Sequence, residues 1–533
     1  MRLGVDFGTT RIVVASVDRG NYPVVTFDSP ENGSSECGPT DGFPSLVAAR
    51  GGQALFGFDA WRAQQDPDAT VVRSIKRFLM DAGPETQVSL GGVSFRMLDL
   101  LCGLTAALRT ALTAASSLSL KPGEPLEIML GVPAIANGNQ RFLTVEAFRQ
   151  SGFDVIGLLN EPSAASIEYG HASRAKLSSA RDTIVVYDLG GGTFDASLVE
   201  MDAQRHEVLA SEGIPTLGGD DFDEILAELA LEAAETGHAA LEDLTQAEVF
   251  RLHEECRQKK EALHPNTRRL TIDLDAVREG WPSVQVPVAG FYDRCQSMIE
   301  ETVHAVEDLM RGRESSVEGV YVTGGSSDLP LVSRALRERY GRRVKRSAYP
   351  RSATAIGLAI QADTQAGYQL REKFTRNFGV WREAEGGRTM VFDPLFLKGT
   401  PLPAPGEPPL RVTRTYYPAH NIGHFRYLEC SHTTGDGRPS GEVMLWDQIQ
   451  FPFDESLRDV AELDASPVHR LEWAPPREIR EEYSCDASGA VFVQISNVTA
   501  GYSRAFRLGR WATQRAPLIP GRKRSAARAA RQS

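Results

Sequence analysis

Apolar and polar positions follow two rhythms along the first two thirds of this 533-residue chain. Short apolar runs predict strands over residues 3–7, 12–17, 127–131, 183–188, 196–200 and 319–323. Apolar residues spaced near 3.6 predict helices over 98–118, 138–150, 222–235, 246–263 and 292–310. Strands interleaved with helices of that length point to an α/β fold. The rhythm changes after about Asp363. Residues 399–410 hold five prolines in twelve positions; prolines donate no ladder hydrogen bond, so this stretch reads as an extended connection. Short β-type stretches follow over 412–417, 425–430, 443–446, 490–496 and 503–508, with Asp486 to Gly489 reading as a hairpin turn. The last third is therefore expected to be all-β.

Composition narrows the class. The length predicts two to four compact units. An apolar fraction of 41% and a charged fraction of 24% are those of ordinary globular protein. A formal net charge of -12 argues against nucleic acid as a partner, because phosphate repels an acidic surface. The six cysteines lie far apart with no CxxC pair, which speaks against a zinc site or disulfide framework and for a reducing compartment. No continuous run of about 18 apolar residues is present, so no membrane span is expected. The first strand opens at Arg2 and meets a charge at Asp6, leaving no room for a signal peptide; a cytoplasmic protein is expected. Residues 511–533 form a basic stretch with Arg522, Lys523, Arg524, Arg528 and Arg531. It reads as a disordered tail, with an interaction arm as the alternative.

Three glycine loops carry the chemistry. The first is Asp6, Phe7, Gly8, Thr9, Thr10; the second is Asp188, Leu189, Gly190, Gly191, Gly192, Thr193, Phe194, Asp195. Each places an acid at the end of an apolar strand, then glycine, then a hydroxyl residue. Glycines let backbone N–H groups approach phosphate oxygens with no Cβ in the way, and an acid at a strand end suits a hydrated Mg²⁺. One such loop alone is as well explained by a hairpin turn. Two, one in each half of an α/β region, predict duplicated lobes facing one nucleotide. Neither fits the GxxxxGK[ST] pattern. The third loop, Thr323, Gly324, Gly325, Ser326, Ser327, ends a strand and opens a helix, which suits a nucleoside.

These loops belong to an ordered series. It also contains Gly131, Val132, Pro133 with Asn139, Gln140, Arg141; Asn160, Glu161, Pro162, Ser163, Ala164, Ala165; and Leu217, Gly218, Gly219, Asp220, Asp221, Phe222, Asp223. The series resembles that of the 70-kDa heat-shock chaperones over roughly residues 1–363. The resemblance implies an actin-like, two-lobed ATPase domain of duplicated ribonuclease-H-like halves over 1–363. A linker and entry segment over 364–395, a β-sandwich-like client-binding domain over 396–510 and the tail over 511–533 would follow. It implies ATP/ADP and Mg²⁺ as cofactors, with polypeptide clients and co-chaperones as partners. Phosphates would be held by Gly8, Thr9, Thr10, Gly190, Gly191, Gly192 and Thr193, and the nucleoside by Gly218, Gly219, Lys260, His264, Gly324, Gly325 and Ser326. Asp6 and Asp188 would order the hydration shell of Mg²⁺. Lys76, Glu161, Asp195 and Thr193 would position the attacking water, and Pro133 and Arg141 would pass the nucleotide state onward.

The chain departs from that family in three places. On the adenine side Arg257 stands where an acid is usual, Glu261 where an arginine is usual, His264 where serine is usual, Asp328 where arginine is usual, and Arg351 where aspartate is usual. Inverting the acid–base pair is expected to remove the guanidinium plane that would face adenine. The linker lacks the family's run of leucines; Tyr368 and Leu370 are its only large apolar residues over 364–371, so little docking and weak coupling are expected. Little sequence remains after Leu508 for a helical lid. An ATP-hydrolysing chaperone-like protein is the leading reading, beside a nucleotide-responsive scaffold with little turnover and a small-molecule kinase.

Overall fold

A computed structural model describes the chain except residues 29–38, 65, 67, 122, 174–181, 203, 235–240, 386–388, 404–406, 461–462, 464, 472–475, 487–488 and 509–533. The basic tail over 511–533 and part of the 486–489 turn thus lie outside the described residues.

Two sheets with the same strand order form the first two thirds. In the first, strands Asp154–Asn160, Glu127–Val132, Arg2–Phe7, Arg11–Ser16 and Phe43–Pro44 lie side by side. The second runs Val344–Arg346, Val317–Thr323, Asp182–Leu189, Phe194–Asp202 and Arg205–Ile214. In each, the first three strands are parallel and the next two antiparallel. This repetition is the duplication that the paired glycine loops predict. The central strands read as almost continuous apolar runs because both faces are covered by helices. Each lobe has its own core, one around Phe7, Phe27, Phe43 and Phe148, the other around Tyr187, Phe194, Phe222 and Phe291.

The lobes meet through two helices, Glu161–Ala172 and Ala353–Ala362, that cross at glycine. A Cβ on Gly357 would stand 1.8 Å from the Ala164 carbonyl oxygen, and one on Gly4 would stand 2.2 Å from the Ala359 nitrogen. No other residue type allows that approach. The helix Met97–Ala114 is long and apolar enough to cross a membrane; its apolar face (Leu101, Leu104 and Leu108) is packed into the first lobe's core.

The β region holds two four-stranded antiparallel sheets around a third core. One is Thr389–Phe396, Asn377–Ala384, Ile422–Thr433 and Pro439–Pro452; the other is Leu410–Tyr416, Ile479–Cys485, Val491–Asn497 and Tyr502–Arg507. The sandwich starts at Asn377, ahead of the expected 396, because Phe378 and Val380 already belong to its core.

The linker docks, contrary to the expectation drawn from its missing leucines. Gln369–Arg371 adds a sixth, parallel strand to the second lobe, opposite Arg205, His206 and Glu207. Tyr368 and Leu370 are buried beneath it. Strand addition uses backbone groups that every residue carries, so two apolar side chains suffice where a run of leucines was thought necessary.

Candidate functional site

A cleft of about 450 Å³ opens between the lobes. Its floor is where the strands Arg2–Phe7 and Asp182–Leu189 end and turn into the glycine loops. The two loops touch: a Cβ on Gly191 would lie 2.9 Å from Cγ2 of Thr10, and one on Gly192 would lie 2.8 Å from the side chain of Thr9. Backbone from both lobes therefore converges on one place.

Lys76 reaches into the floor from the short helix Ile75–Phe78. Its Nζ donates to Oε1 of Glu161 over 2.6 Å, and both side chains are buried. Asp6, Asp188 and Asp195 stand around this pair. Burial first, then Glu161, pushes Asp6 and Asp195 up to about 7, with Lys76 opposing. Burial, Glu161 and Asp6 push Asp188 well above the carboxylate range. Burial alone would lower the Lys76 ammonium, but Glu161 and Asp6 outweigh it and hold Lys76 above its usual value. Two buried carboxylates (Glu161 and Asp195) and two half-buried ones (Asp6 and Asp188) face one ammonium and leave excess negative charge in the cleft floor. Among the described residues no three His, Cys, Asp or Glu side chains converge on a common metal position. That donor set fits a divalent cation held through its water shell, with Asp6 and Asp188 at the strand ends as the groups that would hold it. Asp195 accepts from the Ala134 N–H (2.8 Å) and from the Thr193 hydroxyl, which turns its carboxylate away from the open cleft.

The sequence-predicted cleft residues fall in three sets. Asp6, Gly8, Thr9, Thr10, Lys76, Glu161, Asp188, Gly190, Gly191, Thr193, Gly219, Lys260, Gly324, Gly325 and Ser326 line the cleft. Gly192 and Gly218 lie just behind it, against each other, since a Cβ on Gly218 would meet the Gly192 nitrogen at 2.6 Å. His264 is not brought to the cleft. The helix Gln246–Glu261 ends before it, the chain turns away at Ala262, and His264 is exposed, its N–H donating to the Thr267 hydroxyl. Lys260 lines the cleft but is committed to an ion pair with Asp223 (2.7 Å) and to the Gly219 carbonyl.

The far end of the cleft also departs from expectation. Glu261 gathers three guanidinium groups: Arg257 from its own helix (2.7 Å), Arg11 from the first lobe (3.4 Å) and Arg351 (3.3 Å). Despite burial, these three arginines hold its carboxyl below the ordinary range. Cationic planes are thus present, supplied by Arg11 and Arg351 from elements remote in sequence.

Sequence reasoning missed the contacts that tie the lobes and the β region together. Arg73 pairs with Glu254, and Arg77 pairs with Asp221 (2.9 Å), each joining the first lobe to the second. Glu372, just past the docked linker, accepts from the Asn160 N–H (2.8 Å), the residue preceding Glu161, while Arg141 donates to the Asn160 side chain. The Glu429 carboxylate accepts from the Gly138 N–H (3.0 Å) at the start of the helix Gly138–Gln150, where the Trp446 indole lies over Gly138. The charges of Arg73, Arg77 and Glu372 are visible in the sequence; their partners, more than 100 positions away, are not.

Residues 112–375 match the family described as Hsp70 protein. A chaperone protein HscA homolog of Chromobacterium violaceum is 32% identical over 387 residues, 69% of this chain and 59% of that protein. One from Variovorax paradoxus is 30% identical over 393 residues, 68% of this chain and 58% of the relative. A third, from Laribacter hongkongensis, is 31% identical over 394 residues. The matched region spans under three fifths of the length of the first two relatives.

Proposed function

For a chain that is an Hsp70-like protein with an actin-like α/β region and a β-sandwich, we propose ATP binding and slow, Mg²⁺-dependent hydrolysis in the interlobe cleft. The β region would bind extended polypeptide, with co-chaperones and a cytoplasmic setting as part of the same reading. The observation that carries it is the buried Lys76–Glu161 pair ringed by Asp6, Asp188 and Asp195 where two glycine loops meet. The backbone N–H groups of Gly8 to Thr10 and Gly190 to Thr193 would hold the phosphates. Magnesium, when bound, would neutralise phosphate charge, and Asp6 and Asp188 would anchor its water shell. Lys76 would offset charge developing on the transferred phosphoryl group, Glu161 would orient the attacking water, and Asp195, behind the cleft wall, would act through the Thr193 hydroxyl it accepts from. No side chain here is a strong base, which is why turnover is expected to be slow. We place the nucleotide-binding unit over residues 1–363 and the client-binding unit from Asn377 onward.

Phosphate release from ATP, measured with Mg²⁺ and with EDTA, and with and without an extended peptide, tests this. Magnesium-dependent release supports the reading. Tight ATP binding with no release over hours would favour the scaffold.

A further inference from the structure

We infer that Arg351 is the residue on which the purine base stacks, with Glu261 and Asp328 as the clamps that hold its guanidinium flat. The inference rests on the nucleotide reading above. A triphosphate seated on the two glycine loops must extend its nucleoside along the rest of the cleft, past Gly324, Gly325 and Ser326. Arg351 lies at that end. Its backbone is pinned there, because the preceding Pro350 carbonyl accepts from the Gly324 N–H (2.8 Å) and from the Thr323 hydroxyl (3.0 Å). Its side chain runs over the same loop, with Cγ standing 3.7 Å from where a Cβ on Gly325 would be.

The guanidinium is held by its edge. Nη1 reaches Oε2 of Glu261 at 3.3 Å, and Nε faces Oδ2 of Asp328 at 3.6 Å. Asp328 is itself held by Arg346. A planar cation whose N–H edges are tied to carboxylates keeps its two faces for stacking. Of the other cations at this end, Lys260 is committed to Asp223 and Gly219 and Arg257 to Glu254 and Glu261, while Arg11 comes from the first lobe, its stem against Gly42 and its guanidinium on Glu261 (3.4 Å). Arg351 retains 43% side-chain exposure, and among the described residues no aromatic ring covers it. A base gripped by its face rather than read at its edge should be a purine of either kind, held more firmly than a pyrimidine, whose stacking area is smaller.

Calorimetry on the full chain with Mg·ATP, Mg·GTP, Mg·CTP and Mg·tripolyphosphate separates base from phosphate. Arg351→Ala should weaken ATP and GTP by about tenfold, or ~1.4 kcal/mol, and leave tripolyphosphate unchanged within about twofold. Arg351→Lys keeps the charge but not the plane and should not restore ATP affinity. Glu261→Gln with Asp328→Asn should loosen the clamp and weaken ATP without touching tripolyphosphate. Unchanged ATP affinity in Arg351→Ala, full rescue by lysine, or an equal loss for tripolyphosphate would each overturn the stacking role alone. Parental protein that binds neither ATP nor tripolyphosphate would overturn the nucleotide reading and this inference with it.

Discussion

Replacing Lys76 by alanine removes the cation at the centre of the cleft floor. Lys76 is 5% exposed, its ammonium lies 2.6 Å from Glu161, and it is the positive charge whose field reaches Asp6, Asp188 and Asp195. Two effects follow. In the reaction, a donor aimed at developing phosphoryl charge is lost, which by comparison with other preorganised donors lowers kcat about 10²- to 10³-fold, ~3–4 kcal/mol. In the free protein, four carboxylates lose their counter-charge. Leaving a buried charge without its partner costs about 3–5 kcal/mol, but Asp6 and Asp195, already pushed up to about 7, will take up protons and reduce that cost near neutral pH. The glycine-loop amides still hold ground-state phosphate, so ATP affinity should change by no more than about threefold. Single-turnover phosphate release measures the first effect and calorimetry the binding. A Lys76→Ala protein that is folded, binds ATP and hydrolyses it at the parental rate would refute the assignment.

Asp6 and Asp195 have folded-state values raised above those of the unfolded chain, so their contribution to stability is complete below about pH 4 and is lost as pH rises through about 7. Asp195→Asn removes one of these groups and should flatten the fall in melting temperature of the nucleotide-free protein between about pH 5 and about pH 7.5; parallel curves would contradict it. Gly138→Ala would place a Cβ 1.6 Å from Nε1 of Trp446 and must displace the indole, costing about 1–3 kcal/mol as overpacking does. The Trp446 emission, isolated as the difference from a Trp446→Phe protein, should then shift to the red. Leu370→Asp buries a charge under the docked linker strand; amide exchange over residues 369–371 should quicken by about tenfold or more, and unchanged protection would show that the strand does not depend on that side chain.

The features legible in the sequence are those whose cause is local. Asp6 through Thr10 and Asp188 through Asp195 each pack strand end, acid, glycine and hydroxyl into eight residues or fewer, so their backbone geometry follows from residue type alone. Helices such as Gly138–Gln150 and Gln246–Glu261 announce themselves through apolar spacing, and the sandwich strands Leu410–Tyr416 and Val491–Asn497 through their β-type runs, whereas Asn377–Ala384, Thr389–Phe396 and Ile479–Cys485 do not. Tertiary structure decided what depends on partners far along the chain. It set Lys76 against Glu161, 85 positions away, and Glu372 against Asn160, 212 positions away. It docked a linker whose composition argued against docking, because backbone pairing does not register in hydrophobicity. It turned the chain away before His264, since a motif carries residue order but not the point where a helix stops. It also brought Arg11 and Arg351 to Glu261 from opposite sides of the cleft, restoring cationic planes that the local pattern lacks. Backbone conformation is a short-range property of residue type, whereas electrostatic partnership depends on which surfaces the folded chain brings within a few ångströms of each other.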